Sequence, residues 1–96
     1  MPRVIWSPAS LQDMQRLYRA LANKNPEAAK RAIKTIRESL KTMAQLPDVG
    51  RPVDHMEADY REWLIDFGSS GYTALYHYDG RVAVILAVRH QREAGY

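Results

Sequence analysis

The last ten residues of this 96-residue chain, AVRHQREAGY, are dense in side chains that can bind an anion or stack on a ring. They continue directly from the apolar run at residues 82–86. Guanidinium groups bind phosphate or carboxylate oxygens in pairs, and histidine or tyrosine can stack on a base or transfer a proton. The candidate residues for such a site are Arg61, Arg89, His90, Arg92 and Tyr96.

These candidates need a scaffold that brings them together. One strand begins near Arg61, and the last strand ends near His90. In an antiparallel meander we expect these two points to lie at the same end of the sheet. The alternative is a solvated strand end in which Arg89 or Arg92 pairs with Glu93 or Asp59. The residues alone leave both interpretations open and indicate an anion or protein contact site.

The sequence lacks the patterns of metal and cofactor sites. It has no cysteine, which excludes disulfides and thiolate metal ligands. The three histidines, His55, His77 and His90, stand in none of the usual metal-ligand spacings, and no phosphate-binding glycine loop or nucleophile elbow occurs. We therefore expect neither a metal nor a cofactor.

Length and composition indicate one domain covering residues 1–96. The net charge of +3 favours acidic proteins or nucleic acid as partners without choosing between them. The N-terminus has no signal-peptide core, and no apolar run approaches the length of a membrane span. We expect a cytoplasmic protein that does not associate with a membrane.

Two helices are predicted in the first half of the chain. Ser7-Pro8 and Asn25-Pro26 each combine a capping side chain with proline at the first helical position, and Pro47 ends the second helix. The short connection between the helices predicts an antiparallel hairpin. The apolar stripe of the first helix is Leu11, Met14, Leu17, Tyr18 and Leu21, and the basic surface of the second is Lys30, Arg31, Lys34, Arg37 and Lys41.

The second half of the chain predicts strands. Residues 47–59 have no periodicity and are predicted to be a loop, followed by strands over 60–67, 72–78 and 81–90, with a turn at 68–71. Asp79-Gly80 predicts a tight hairpin between the last two strands, and the doubly apolar last strand is expected to be central. The order β-α-α-β-β-β predicts an α+β domain with a helix hairpin on one face of a mostly antiparallel sheet.

The whole chain resembles the RelE/ParE superfamily of toxins from type II toxin-antitoxin systems. The resemblance is carried by VIWSPASLQDMQRLY near the start, SLKTMAQLPDVGRPV in the middle, and YREWLIDFGSSGYTALYHYDGRVAVILAVRHQRE near the end. It implies the β-α-α-β-β-β toxin fold. It also implies one of two activities, because RelE-like members cleave messenger RNA on the ribosome and ParE-like members inhibit DNA gyrase.

The two activities imply different residues. RelE-like toxins place an arginine after the tyrosine of a G-Y-R element, lysines on the preceding strand, a further arginine in the closing basic motif and a late tyrosine. This chain has Thr73 at the first arginine, Glu62 and Asp66 on the preceding strand and Gln91 near the second arginine, so Tyr96 is the one counterpart left. The ending His90-Gln91-Arg92 resembles the H-x-R of ParE-like sequences, which favours gyrase over messenger RNA as the target. A third interpretation is an inactive relative that still binds its antitoxin.

The resemblance also implies a cognate, ParD-like antitoxin and a toxin-antitoxin hetero-oligomer. Such an antitoxin would lay an amphipathic helix along the helix hairpin, and an acidic tail would meet the basic surface of the second helix. A solvated helix face is the alternative for those cations. The candidate antitoxin-binding residues are Leu11, Met14, Tyr18, Lys30, Arg31, Lys34, Arg37 and Lys41.

Overall fold

A computed structural model describes residues 3–93, so Tyr96 lies outside the described residues. The chain forms two helices and five strands. In chain order they are β1 (Arg3–Trp6), α1 (Pro8–Ala22), α2 (Pro26–Gln45), β2 (Arg51–Pro52), β3 (Tyr60–Phe67), β4 (Ser70–Tyr78) and β5 (Val82–His90). The helices pack on one face of the sheet, which confirms the predicted α+β class.

Both helices begin where their capping signals predict. The Ser7 side chain accepts a hydrogen bond from the backbone N–H of Ser10 at 3.1 Å, and the Asn25 side chain accepts one from that of Ala28 at 3.1 Å. Proline occupies the first turn of each helix, where its missing N–H leaves no bond unmade. Local sequence therefore determines where the hairpin starts.

The sheet has the strand order β1-β5-β4-β3-β2. β1 runs parallel to β5, and the other neighbouring pairs are antiparallel. β5 thus lies between β1 and β4, which confirms its predicted interior position. Its buried residues Ala83, Ile85 and Val88 belong to the same core as Ile36 of α2.

The structure differs from the sequence prediction by more than one residue in two places. The loop at residues 47–59 contains the short strand β2, in which Arg51 pairs with Glu62 of β3 by register and also by an ion pair between their side chains. β4 begins at Ser70, two residues earlier than predicted, and takes up part of the predicted turn. Both differences come from pairing with β3, which local turn signals do not encode.

A fully buried tyrosine fixes the path of the chain after α2. The hydroxyl of Tyr76 donates to the carbonyl of Pro47 at 2.7 Å and accepts from the N–H of Gly50 at 3.0 Å. A Cβ on Gly50 would lie 2.1 Å from that hydroxyl, so only glycine allows the approach. Burial raises the pKa of Tyr76, which keeps it a neutral donor.

Candidate functional site

Arg61 does not lie with the other basic candidates. Arg61 pairs with Tyr76 on β4, and Tyr76 pairs in turn with Ile85 on β5. His90 pairs with Tyr72, near the other end of the sheet. The expectation that Arg61 and His90 share an end is wrong, because β3 and β5 flank β4 and run in the same direction. The start of one and the close of the other are therefore at opposite ends.

Arg61 instead holds the segment that follows α2. Its Nη1 donates to the carbonyls of Asp48 and Gly50, both at 2.9 Å. These bonds are on the same short segment that Tyr76 anchors. The structure thus assigns Arg61 a role in fixing this segment.

The closing basic motif is tied to the sheet end and to α1. Nη1 of Arg89 donates to the carbonyl of Glu93 at 2.5 Å. The Glu93 carboxylate forms a bidentate ion pair with Arg16 of α1: Nη1 lies 2.5 Å from Oε1, and Nη2 lies 3.3 Å from Oε2. This hydrogen bond from Arg16 lowers the pKa of Glu93, and the pKa of Arg16 is raised in turn. The predicted contact between Arg89 and Glu93 exists, but it involves the backbone carbonyl.

Both ring nitrogens of His90 are engaged. Its Nδ1 accepts from the backbone N–H of Arg92 at 3.1 Å, and its Nε2 lies 3.0 Å from the Ser70 hydroxyl. An accepting Nδ1 places the ring proton on Nε2, so His90 donates to Ser70. This direction is the reverse of that in a histidine that activates a serine nucleophile. The edge of the ring also contacts Tyr72, with 5.4 Å between centroids.

The sheet face away from the helices is poor in cations around Thr73. Tyr72 and Ala74 belong to the core under the helices, so the alternating pattern puts Thr73 on the other face. Its cross-strand neighbours are Leu64 and Arg89, and its side chain is only 3% exposed. Two further side chains of this face, Glu62 and Asp66, are acidic, and Glu62 already pairs with Arg51.

A groove runs along the outer side of the helix hairpin. It consists of two adjoining cavities of about 380 and 440 Å³, and Leu11, Met14 and Arg37 line both. We call this surface the helix groove. Its complete lining is Val4, Trp6, Leu11, Met14, Gln15, Tyr18, Arg19, Ile33, Arg37, Leu40, Lys41 and Ala44.

The predicted antitoxin-binding residues differ in where they lie relative to this groove. Leu11 and Tyr18 are exposed on its wall, while Met14 is buried in the core and forms its floor. Of the cations, Arg37 and Lys41 line the groove. Lys30 and Lys34 continue the same stripe at helical spacing, whereas Arg31 lies roughly 120° around α2 from Arg37.

A separate cavity of about 360 Å³ lies at the end of the sheet, between α1, the turn from β3 to β4, and the close of β5. We call it the end cavity. Its apolar lining is Leu17, Ala20, Leu21, Phe67 and Tyr72, and its remaining lining is Lys24, Gly68, Ser69, Ser70, His90 and Glu93. Burial, with a smaller contribution from the Glu93 carboxylate, raises the pKa of the Tyr72 phenol.

Sequence reasoning missed the contacts that hold α1 against β5. Asp13 and Arg16 lie outside the predicted apolar stripe of α1, yet Asp13 Oδ2 accepts from the N–H of Val88 at 2.9 Å. Their partners are 75 and 77 residues away, so no local pattern could reveal them. Ser70 was assigned to a turn, and its contact with His90 likewise depends on strand pairing.

The described residues, 3–93, include no group of three or more side chains suited to hold a metal ion. No helix in this part of the chain is long and apolar enough to cross a membrane.

Comparison with known proteins identifies the family. The family described as "ParE toxin of type II toxin-antitoxin system, parDE" matches residues 4–95. The chain belongs to the ParE toxin family. It is also 34% identical over 93 residues to a curated protein named Toxin RelE3 of Caulobacter vibrioides, with 97% of this chain and 98% of that protein covered.

Two solved structures share the fold of this ParE-family toxin. A chain of the chromosomal ParDE toxin-antitoxin system from P. aeruginosa superposes with a TM-score of 0.81 at 22% identity, covering 94% of this chain and 96% of that one. A chain of the toxin-antitoxin complex RelBE2 from Mycobacterium tuberculosis gives a TM-score of 0.62 at 21% identity, covering 95% and 100%. These results confirm the predicted superfamily. They do not distinguish between the ParE and RelE activities.

Proposed function

We propose that this toxin inhibits DNA gyrase in the cytoplasm and does not cleave messenger RNA. The observation that carries the proposal is the row Leu64–Thr73–Arg89 on the face of the sheet away from the helices. A breaking phosphodiester develops negative charge, and efficient catalysis needs several fixed donors or cations around it. This row offers one cation, Arg89; beside it Asp66 adds negative charge, while Glu62 and Arg51 neutralise each other as an ion pair.

The alternative is a RelE-like, ribosome-dependent endonuclease. The name of the Caulobacter relative favours it, since that protein is called a RelE toxin and covers nearly the whole chain. On this alternative Arg89 and Arg92 would contact the RNA at the close of β5. The gyrase proposal predicts instead that these arginines contact protein.

The cognate antitoxin occupies the helix groove on this proposal. The groove is apolar along Leu11 and Tyr18 and basic along Arg37 and Lys41, so its complement is an amphipathic helix with one apolar and one acidic side. The basic stripe attracts such a segment before contact and speeds association. Both structural relatives come from toxin-antitoxin systems, which supports a hetero-oligomer with an antitoxin partner.

One paired experiment tests the activity. Purified toxin is titrated into a gyrase supercoiling reaction and, in parallel, into a reconstituted translation reaction whose message is mapped for cleavage. We expect loss of supercoiling or trapped cleaved DNA, with the message intact. Cleaved message together with normal supercoiling would overturn the proposal in favour of the endonuclease.

Expression in cells distinguishes an active toxin from an inactive relative. Expression of the toxin without any antitoxin should arrest growth. Normal growth on induction, with the protein shown to be folded and abundant, would identify an inactive relative. Coexpression of the antitoxin should restore growth only when the helix groove is intact.

A further inference from the structure

The end cavity is distinct from the helix groove. The groove faces Leu11, Met14 and Tyr18 of α1, whereas the end cavity faces Leu17, Ala20 and Leu21 on another side of the same helix, and the two share no lining residue. A ligand in one can leave the other open. The two surfaces can therefore bind different partners.

The walls of the end cavity suit a large apolar side chain. Leu17 and Leu21 supply aliphatic surface from α1, and an aromatic series formed by Phe67, Tyr72 and His90 supplies the other wall. Ring centroids along this series are 6.1 and 5.4 Å apart. A volume of about 360 Å³ accommodates one bulky side chain and part of the backbone that carries it.

The polar lining offers donors. His90 donates from Nε2 to the Ser70 oxygen, which leaves the proton of the Ser70 hydroxyl available to an acceptor in the cavity. Lys24 lines the cavity and is exposed, and no ion pair to it occurs within residues 3–93. The acid in the lining, Glu93, is already neutralised by Arg16. A carboxylate or carbonyl at the mouth of the cavity would thus be bound by Lys24 and Ser70.

We propose that the end cavity is the place where the toxin binds its target protein, and that it takes a large apolar side chain with an adjacent acidic residue. The apolar side chain fills the space between Leu21 and Phe67, and the carboxylate pairs with Lys24 and accepts from Ser70. This inference rests on the proposed function, because it supplies the contact through which a toxin that is not a nuclease engages gyrase.

The lining favours a protein ligand over a nucleotide. A nucleotide brings phosphate charge that needs several cations, and the one lysine or arginine in this lining is Lys24. Most of the exposed surface inside the cavity is apolar. A protein segment gains from both properties, since its buried apolar anchor contributes most of the affinity and one ion pair at the rim sets orientation.

Two substitutions test the inference. Ala20→Trp fills the cavity from an exposed position of α1, and Lys24→Glu reverses the charge at its mouth. Matched controls are Ala58→Trp and Arg81→Glu, which introduce the same side chains at exposed positions outside both the end cavity and the helix groove. Circular dichroism and retained antitoxin binding show that each variant is folded with an intact groove.

Both test variants should inhibit gyrase at least about tenfold less well than the original toxin, while the controls inhibit equally. If the original toxin inhibits gyrase and both test variants match it, the inference is wrong and the gyrase proposal stands. If the original toxin leaves gyrase unaffected, the gyrase proposal fails, and growth arrest then decides the inference with the same four variants.

In that second case, loss of growth arrest in Ala20→Trp and Lys24→Glu, without message cleavage by the original toxin, supports a different protein target at the same cavity. Arrest by both variants at the original level overturns the inference. Message cleavage that both variants lose assigns a nucleotide to the cavity, which also overturns the inference of a protein ligand. A toxin that never arrests growth removes the inference altogether.

Discussion

The helix groove and the end cavity lie on different sides of α1 and are built differently. The groove is walled by exposed side chains such as Leu11 and Tyr18, so it can change shape with little effect on the fold. The end cavity is framed by strand ends, a tight turn and the hydrogen-bonded ring of His90. The difference indicates that substitutions at exposed positions of the groove wall alter binding alone, whereas many at the sheet end alter binding and stability together.

The largest expected effect is at the frame of the end cavity. In Gly71→Ala, the new Cβ would lie 2.1 Å from the backbone carbonyl oxygen of Ile65 and would force β3 and β4 apart. We expect about 3 kcal/mol or more of lost stability in chemical denaturation. Gly68→Ala is the control: its positive φ costs about 1 kcal/mol, but its Cβ meets open space. Equal losses in both variants would contradict a frame set by close backbone packing.

The next effect concerns the groove. Leu11→Glu places a carboxylate on its apolar wall, where the antitoxin helix would bury it, and we expect about 100-fold weaker antitoxin binding with unchanged unfolding. Titration calorimetry measures the affinity. Gln12→Glu, one position away on the exposed side, is the control. An unchanged affinity for Leu11→Glu would move the antitoxin site away from the groove.

A smaller effect should reach both surfaces at once. Asp13→Ala removes the acceptor of the Val88 N–H, leaving a partly buried donor without its bond, and should cost on the order of 1–2 kcal/mol. Because this contact fixes α1 on β5, we expect weaker binding of antitoxin and of target alike. Gln12→Ala should leave stability unchanged. Loss at one surface only would show that α1 does not position both.

The smallest effect is confined to the sheet end. Glu93 has a pKa below its ordinary value of 4.5 because of its hydrogen bond to Arg16, so the pair stabilises the fold above that pH and loses its effect as pH falls through the lowered pKa. Both groups are partly exposed, so Glu93→Gln should cost on the order of 0.5 kcal/mol at pH 7 and progressively less as the pH falls below 4.5. Urea unfolding across this pH range measures the difference. A cost that does not change with pH would assign it to packing.

The fold was predictable from sequence where the signals are local. Ser7 and Asn25 mark the helix starts through their own caps, and Asp79 accepts from the N–H groups of Arg81 and Val82 in the hairpin turn that Asp79-Gly80 predicts. Such contacts join residues two or three positions apart. Composition and spacing therefore identify them without knowledge of the rest of the chain.

The candidate sites were less predictable, because they depend on strand direction and distant contacts. Arg61 was grouped with His90, although a three-stranded meander puts them at opposite ends. β2 exists through pairing of Arg51 with Glu62, and Arg16 faces Glu93 across 77 residues of sequence. Of the five basic residues predicted on α2, Arg37 and Lys41 line the groove, and which of the five do so depends on how α2 is rotated against α1.

The parallel pairing of β1 with β5 constrains the order in which the toxin matures during synthesis. Arg3–Trp6 is synthesised before both helices, yet within the described residues it pairs in the sheet with residues 82–85, which are synthesised after the helices and the other strands. The hairpin α1–α2 can form early from local contacts, whereas the sheet edge must wait for the last strand. An antitoxin helix that recognises the hairpin can therefore bind the nascent chain before the sheet of the toxin has formed.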